Sequence, residues 1–135
     1  MPRSAEMYLL DMQKATNYLV RRTSGLALED YLLDEDLRFA VERNFILIGE
    51  AVVLLRRHYP DISAKLDGEA GIISFRNFIV HQYWSVDDEQ VWSTLITKVV
   101  PLRSAIDKLL EQLNNNPDPE RLNPSPPAAS SAAQS

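Results

Sequence analysis

Apolar residues recur at steps of three and four along most of this chain, the spacing of helices packed on one face. Met7, Leu9, Leu10, Met12, Tyr18, Leu19 and Val20 keep that spacing and predict a first helix from about Arg3 to Arg22. Thr23-Ser24-Gly25 stops it, with Gly25 suited to a left-handed cap. Leu28 to Leu33 reads as a short helical turn. A long helix follows from about Asp34 to His58, with Leu37, Val41, Phe45, Ile48, Val52 and Leu55 as its apolar stripe. Asp34, Glu35 and Asp36 open it and Arg56, Arg57 and His58 close it, both placements favouring the helix dipole. Pro60 prevents its continuation. A further helix is predicted from Glu69 to about His81.

Ser85 to Asp88 reads as a turn, and Asp87 with Gln90 has the form of a capping box. The last helix runs to about Leu113 on Val91, Leu95, Val99, Leu102, Ile106 and Leu109, with Pro101 expected to kink it or break its ladder. No segment alternates long enough to predict a strand. The expectation is an all-α, up-and-down bundle of four to five helices with short connections, over residues 1–113. Residues 114–135 hold five of the eight prolines among Asn, Ser and Ala, a composition that predicts a disordered tail.

Composition narrows the chemistry. At 135 residues the chain fits one domain. Cysteine is absent, which removes disulfides, thiolate metal sites and cysteine nucleophiles, and fits a reducing cytoplasm. No apolar run is long and uncharged enough for a signal peptide or a membrane span, so a soluble cytoplasmic protein is expected. With 14 basic and 19 acidic residues the net charge is −5, which argues against a broad basic coat for nucleic acid. Two histidines without metal-ligand spacing leave no expected metal site, and no cofactor is implied.

The informative stretch is Ile72 to Trp84. Between Ala70 and Val86 the only formal charge is Arg76, whose helical neighbours Ile72, Ile73, Ile79 and Val80 are aliphatic. Such an arginine snorkels, pairs with a carboxylate (Glu50 or Glu42 are the candidates), or awaits an anionic ligand. Asn77 and His81 stack one turn apart on one face. Arg76 and His81 lie about 140° apart around the helix. Their heads converge only through the reach of arginine, an early helix end, or a second subunit. Histidine suits proton transfer to and from an RNA 2′-hydroxyl. Arginine's planar fork suits the phosphate that the freed oxygen attacks, and an amide such as Asn77 suits positioning. The structural alternatives stay open: His81 as an ordinary surface histidine, Tyr83 and Trp84 as core or interface aromatics, Met7 and Met12 as core fillers, and His58-Tyr59 as capping and packing.

Arg76-Asn77-Phe78-Ile79-Val80-His81-Gln82-Tyr83 resembles the Arg-x4-His-x-Tyr signature of HepT-like proteins of the HEPN superfamily. Asn44 to Ala51 resembles the family's Asn-x-x-x-Ile-Gly-Glu-Ala, Tyr59-Pro60 its helix-ending pair, and Val86-Asp87 through Pro101-Leu102 its last helix. The likeness spans about residues 5–112. Gln82 stands where the family often has Gly, and Ser74-Phe75 where it commonly has Gly-Met.

The resemblance implies a homodimeric helical toxin, a metal-independent ribonuclease of a type II or type VII toxin–antitoxin pair. It implies Arg76 and His81 as catalytic residues, Asn77 as the polar positioning residue, and a cleft where two motifs meet at the dimer interface. It also implies an MntA-like minimal nucleotidyltransferase antitoxin that transfers AMP to Tyr83. Two other functions fit the same residues: a non-catalytic HEPN module that docks a nucleotidyltransferase, and a purely structural helical dimer.

Overall fold

The structure, a computed structural model, describes residues 3–82 and 84–115. Among them there are six helices and no strand: α1 Ala5–Thr23, α2 Leu28–Leu33, α3 Glu35–His58, α4 Pro60–Ser63, α5 Glu69–His81 and α6 Asp88–Asn115. Four are substantial and two are single short elements, so the expected all-α bundle is the observed class. The predicted tail lies outside the described residues from 116 onward, while Asn114 and Asn115 belong to the end of α6.

Local chemistry accounts for the boundaries. Ser4 Oγ accepts from the Met7 amide at 3.3 Å and starts α1. Gly25 takes φ +79°, the left-handed turn that ends this helix and that a side chain would resist. Asp34 closes α2 and opens α3, its Oδ1 accepting from the Leu37 amide at 3.0 Å. Asp87 Oδ1 accepts from the Glu89 and Gln90 amides at 3.1 and 3.2 Å, as the capping motif predicts, while the Gln90 amide group reaches Thr94 instead of completing the box. Pro60 ends α3 and also occupies the first position of α4, where its missing N–H costs nothing. Pro101 sits on the exposed side of α6, and the helix runs through it.

The core is one cluster. α1 packs on α3 and α6, α3 packs on α5, and α2 bridges α3 and α6. The buried stripe of α1 runs through Ala5, Tyr8, Leu9, Met12, Ala15, Thr16 and Leu19. Met12 is a core filler as expected, but Met7 is not. It stands off the stripe and is 47% exposed, because Tyr8 and Leu9 occupy the inward positions of that turn. His58 stacks on Tyr8 with ring centroids 6.5 Å apart, and the Tyr59 hydroxyl donates to the Arg3 carbonyl at 2.8 Å. This pair is therefore packing, as the sequence suggested. α5 is the least covered of the long helices: Ile79 alone among its residues is buried. No helix of the described residues is long and apolar enough to cross a membrane.

One corner of the bundle is electrostatically uncomfortable. Tyr31 is fully buried against Trp92, and among the described residues its hydroxyl has no hydrogen-bond partner. Half-buried Glu42 shares this corner with the Arg38–Asp88 pair. Burial pushes the Glu42 carboxyl above its ordinary pKa, the Asp88 charge adds to the rise, and Arg38 offsets part of it. A carboxyl raised in the folded state disfavours folding wherever it is ionised, and that penalty disappears as pH falls toward the ordinary carboxylate range. Glu42→Gln is expected to raise the thermal midpoint by a few degrees at pH 7, with the gain vanishing below about pH 4. Paired melts at the two pH values, read by circular dichroism, check this.

Candidate active site

The candidate residues ride on α5, and α5 is seated on α3. Phe75 meets Phe45 of α3 edge to face at 5.0 Å and stacks with Phe78 at 5.8 Å. Beside these rings the two backbones approach closely at Gly49. A Cβ built on Gly49 would overlap Cβ and Cγ of Arg76. The arginine stem therefore lies directly across the glycine, and the helix interior carries a poor helix former there because nothing larger fits.

From that stem the Arg76 head is spread between two acceptors. Nη2 donates to a Glu50 carboxylate oxygen, and Nη1 donates to Asn77 Oδ1 at 2.8 Å. Nε is buried with no partner among the described residues. Of the two carboxylates that the sequence left open, Glu50 is the partner; Glu42 lies with Arg38 and Asp88 in the Tyr31 corner. The pair is reached by solvent, with the Glu50 side chain 44% exposed and that of Arg76 27%. Asn77, expected to position substrate, here holds the guanidinium by its carbonyl oxygen.

His81 is the last residue of α5 and is exposed. It lies one turn beyond Asn77 on the same helix, as the spacing predicted. Among the described residues it makes no hydrogen bond or ion pair, so the structure joins Arg76 to Asn77 but not to His81. Tyr83, the expected modification site, lies outside the described residues. Trp84 follows it and is 78% exposed.

Two concavities flank α3. Glu50 also lines a groove of about 450 Å³ between α1 and α3, with Lys14, Tyr18, Asn44 and Leu47. On the α6 side, Phe45, Ile48, Phe75, Val99 and Leu102 line a mainly apolar cavity of about 460 Å³, with Asp67 and Lys98 its charged members. Among the described residues no three His, Asp or Glu side chains come together as a metal site. The residue that sequence reasoning undervalued is Gly49. A glycine inside a strongly helical pattern signals close backbone approach, and here it marks where the Arg76 stem crosses.

Gly→Ala in an open helix ordinarily stabilises by up to about 1 kcal/mol. Here the clash reverses the sign: Gly49→Ala is expected to destabilise by about 1–3 kcal/mol, because α3 and α5 must separate or the Arg76 stem must move. Urea unfolding of the two proteins measures the difference.

Residues 12–109 match the family described as Ribonuclease HepT-like. A Thermococcus cleftensis protein named Probable ribonuclease HepT is 28% identical over 109 residues, 81% of this chain and 98% of that protein. A protein of Caldanaerobacter subterraneus subsp. tengcongensis, named as a candidate RNase, is 26% identical over 105 residues, 78% of this chain and 93% of its own length. A Methanocaldococcus jannaschii protein, also named as a candidate RNase, is 25% identical over 115 residues, 82% of this chain and 95% of its own length. No solved structure matches. With the match covering most of the chain and all of α3 and α5, this protein belongs to the HepT-like ribonuclease family.

Proposed function

We propose that this ribonuclease is the toxin of a toxin–antitoxin pair, a metal-independent endoribonuclease of the cytoplasm whose site is completed by a second copy of the chain. One observation supports it above the others. Arg76 stands with its fork at the solvent edge of α5, held by Asn77, and His81 lies exposed at the end of that helix. In the reaction His81 takes the proton of an RNA 2′-hydroxyl. The freed oxygen attacks the adjacent phosphorus, the bond to the 5′-oxygen breaks, and the leaving oxygen takes up a proton. The products are a 2′,3′-cyclic phosphate and a 5′-hydroxyl. Arg76 neutralises charge that builds on the non-bridging oxygens.

Dimerisation supplies what one helix lacks. Residues 76 and 81 are turned about 140° from each other on α5. A second copy, docked on the weakly covered α5, brings its own Arg76 or His81 across from the first. The antitoxin in this reading is a minimal nucleotidyltransferase that transfers AMP to the Tyr83 hydroxyl. The added phosphate would repel an RNA phosphate two residues from His81.

A second reading draws on the Glu50–Arg76 pair. In it the protein is a non-catalytic module that docks the nucleotidyltransferase, and Arg76 is only a structural cation. Cleavage of RNA in EDTA separates the two. The toxin reading expects cleavage by a protein that sediments as a dimer, with rates at least about 100-fold lower in His81→Ala and in Arg76→Ala. Cleavage that persists in both variants, or is missing from the unaltered protein, sinks it. Intact mass after co-production with the nucleotidyltransferase should show AMP-sized additions that vanish in Tyr83→Phe.

A further inference from the structure

Arg76 has five N–H donors, and their disposition is unusual for a residue meant to hold a phosphate. One donates to Glu50, one to Asn77, and the Nε–H is buried without an acceptor among the described residues. Glu50 also cancels the charge. An arriving phosphate therefore meets a neutral pair, not a free cation. Gly49 fixes the stem of the arginine, and the residue next to it in the chain holds the head. The carboxylate is the more exposed partner, so it can leave while the guanidinium stays. It has somewhere to go, because Glu50 lines the α1–α3 groove that also contains Lys14. Among the described residues Lys14 has no ion pair.

We propose that Glu50 is a displaceable clamp: it presets the Arg76 guanidinium while the site is empty and yields it to the scissile phosphate of RNA. Glu50 is thus a positioning residue that acts through Arg76, and this role rests on the ribonuclease reading above. It makes two opposite contributions. As an anion beside the phosphate site it weakens RNA binding, through repulsion and through competition for the same donors. As a hydrogen-bond acceptor it keeps the arginine aimed, which the cleavage step needs. A residue that merely holds α3 to α5 would do neither.

Two experiments on the full-length protein test the clamp. The first needs no RNA. Phenylglyoxal modifies free guanidinium groups, and peptide mass spectrometry reads its rate at each arginine. Exposed Arg57, which has no ion pair among the described residues, is the internal reference. Arg76 should react more slowly than Arg57 in the unaltered protein, and about fivefold to tenfold faster in Glu50→Gln than in the unaltered protein. Equal Arg76 rates in the two proteins overturn the clamp.

The second experiment splits binding from chemistry. With His81→Ala added to prevent cleavage, Glu50→Ala should bind a fluorescein-labelled single-stranded RNA about tenfold tighter by anisotropy. With His81 intact, the same variant should cleave bound RNA at least about tenfold more slowly in a single turnover. Glu50→Gln keeps an acceptor without the charge, so it should bind tightly and recover the cleavage rate to within about threefold. Weaker binding in Glu50→Ala, or no change in either constant, refutes the proposal. Should Glu50→Ala fail to fold, the Gln variant decides by its binding. An unaltered protein that leaves RNA uncut defeats the ribonuclease reading, and the phenylglyoxal rates still judge the clamp.

Discussion

The arrangement of the candidate site depends on one close contact, the crossing of α5 over α3 at Gly49. The helices approach there because Gly49 has no Cβ, and the space it leaves is filled by the stem of Arg76. Phe45, Phe75 and Phe78 secure the same crossing from the side. An arginine stem clamped this way has few rotamers left, so its head is delivered to Glu50 and Asn77 at small entropic cost. Remove the close approach and the arginine becomes an ordinary surface side chain. The chemistry proposed for α5 is in this sense a property of α3.

Much of the fold was legible because the apolar periodicity is strong. The stripes on α3 and α6 matched the buried positions almost residue for residue, and the caps at Asp34 and Asp87 lie where short polar side chains meet the start of a stripe. Other positions were read less fully, each for its own reason. Met7 was assigned inward because apolar type says little when neighbouring residues compete for one turn, and Tyr8 with Leu9 won. Pro60 was read only as a stop, although the same absent N–H makes it a good first residue of α4. Pro101 lies inside α6 on its exposed side, where its missing N–H removes one bond from the helix ladder without ending the helix.

The site was legible in its parts and not in its wiring. Spacing alone placed Asn77 and His81 on one face and set Arg76 apart among aliphatic neighbours. The choice between Glu50 and Glu42 turned on which turn of α3 faces α5, and periodicity fixes a face without fixing an axial offset between helices. The glycine before Glu50 carried that information. Net charge was a similarly blunt guide. Asp30, Asp34, Glu35 and Asp36 gather with Arg22 around the α2–α3 junction, so the acids are not spread evenly over the surface. Net charge says nothing of where the charges lie: at the candidate site itself one acid, Glu50, is paired with Arg76.

The length of α6 has a practical consequence. Its 28 residues make a rod about 42 Å long. It begins seven residues after His81 and ends at Asn115, so one tip starts close in sequence to the candidate site and the other marks where the described chain stops. An affinity tag or fluorescent reporter inserted in the Gln82–Asp87 connection would therefore adjoin His81 directly.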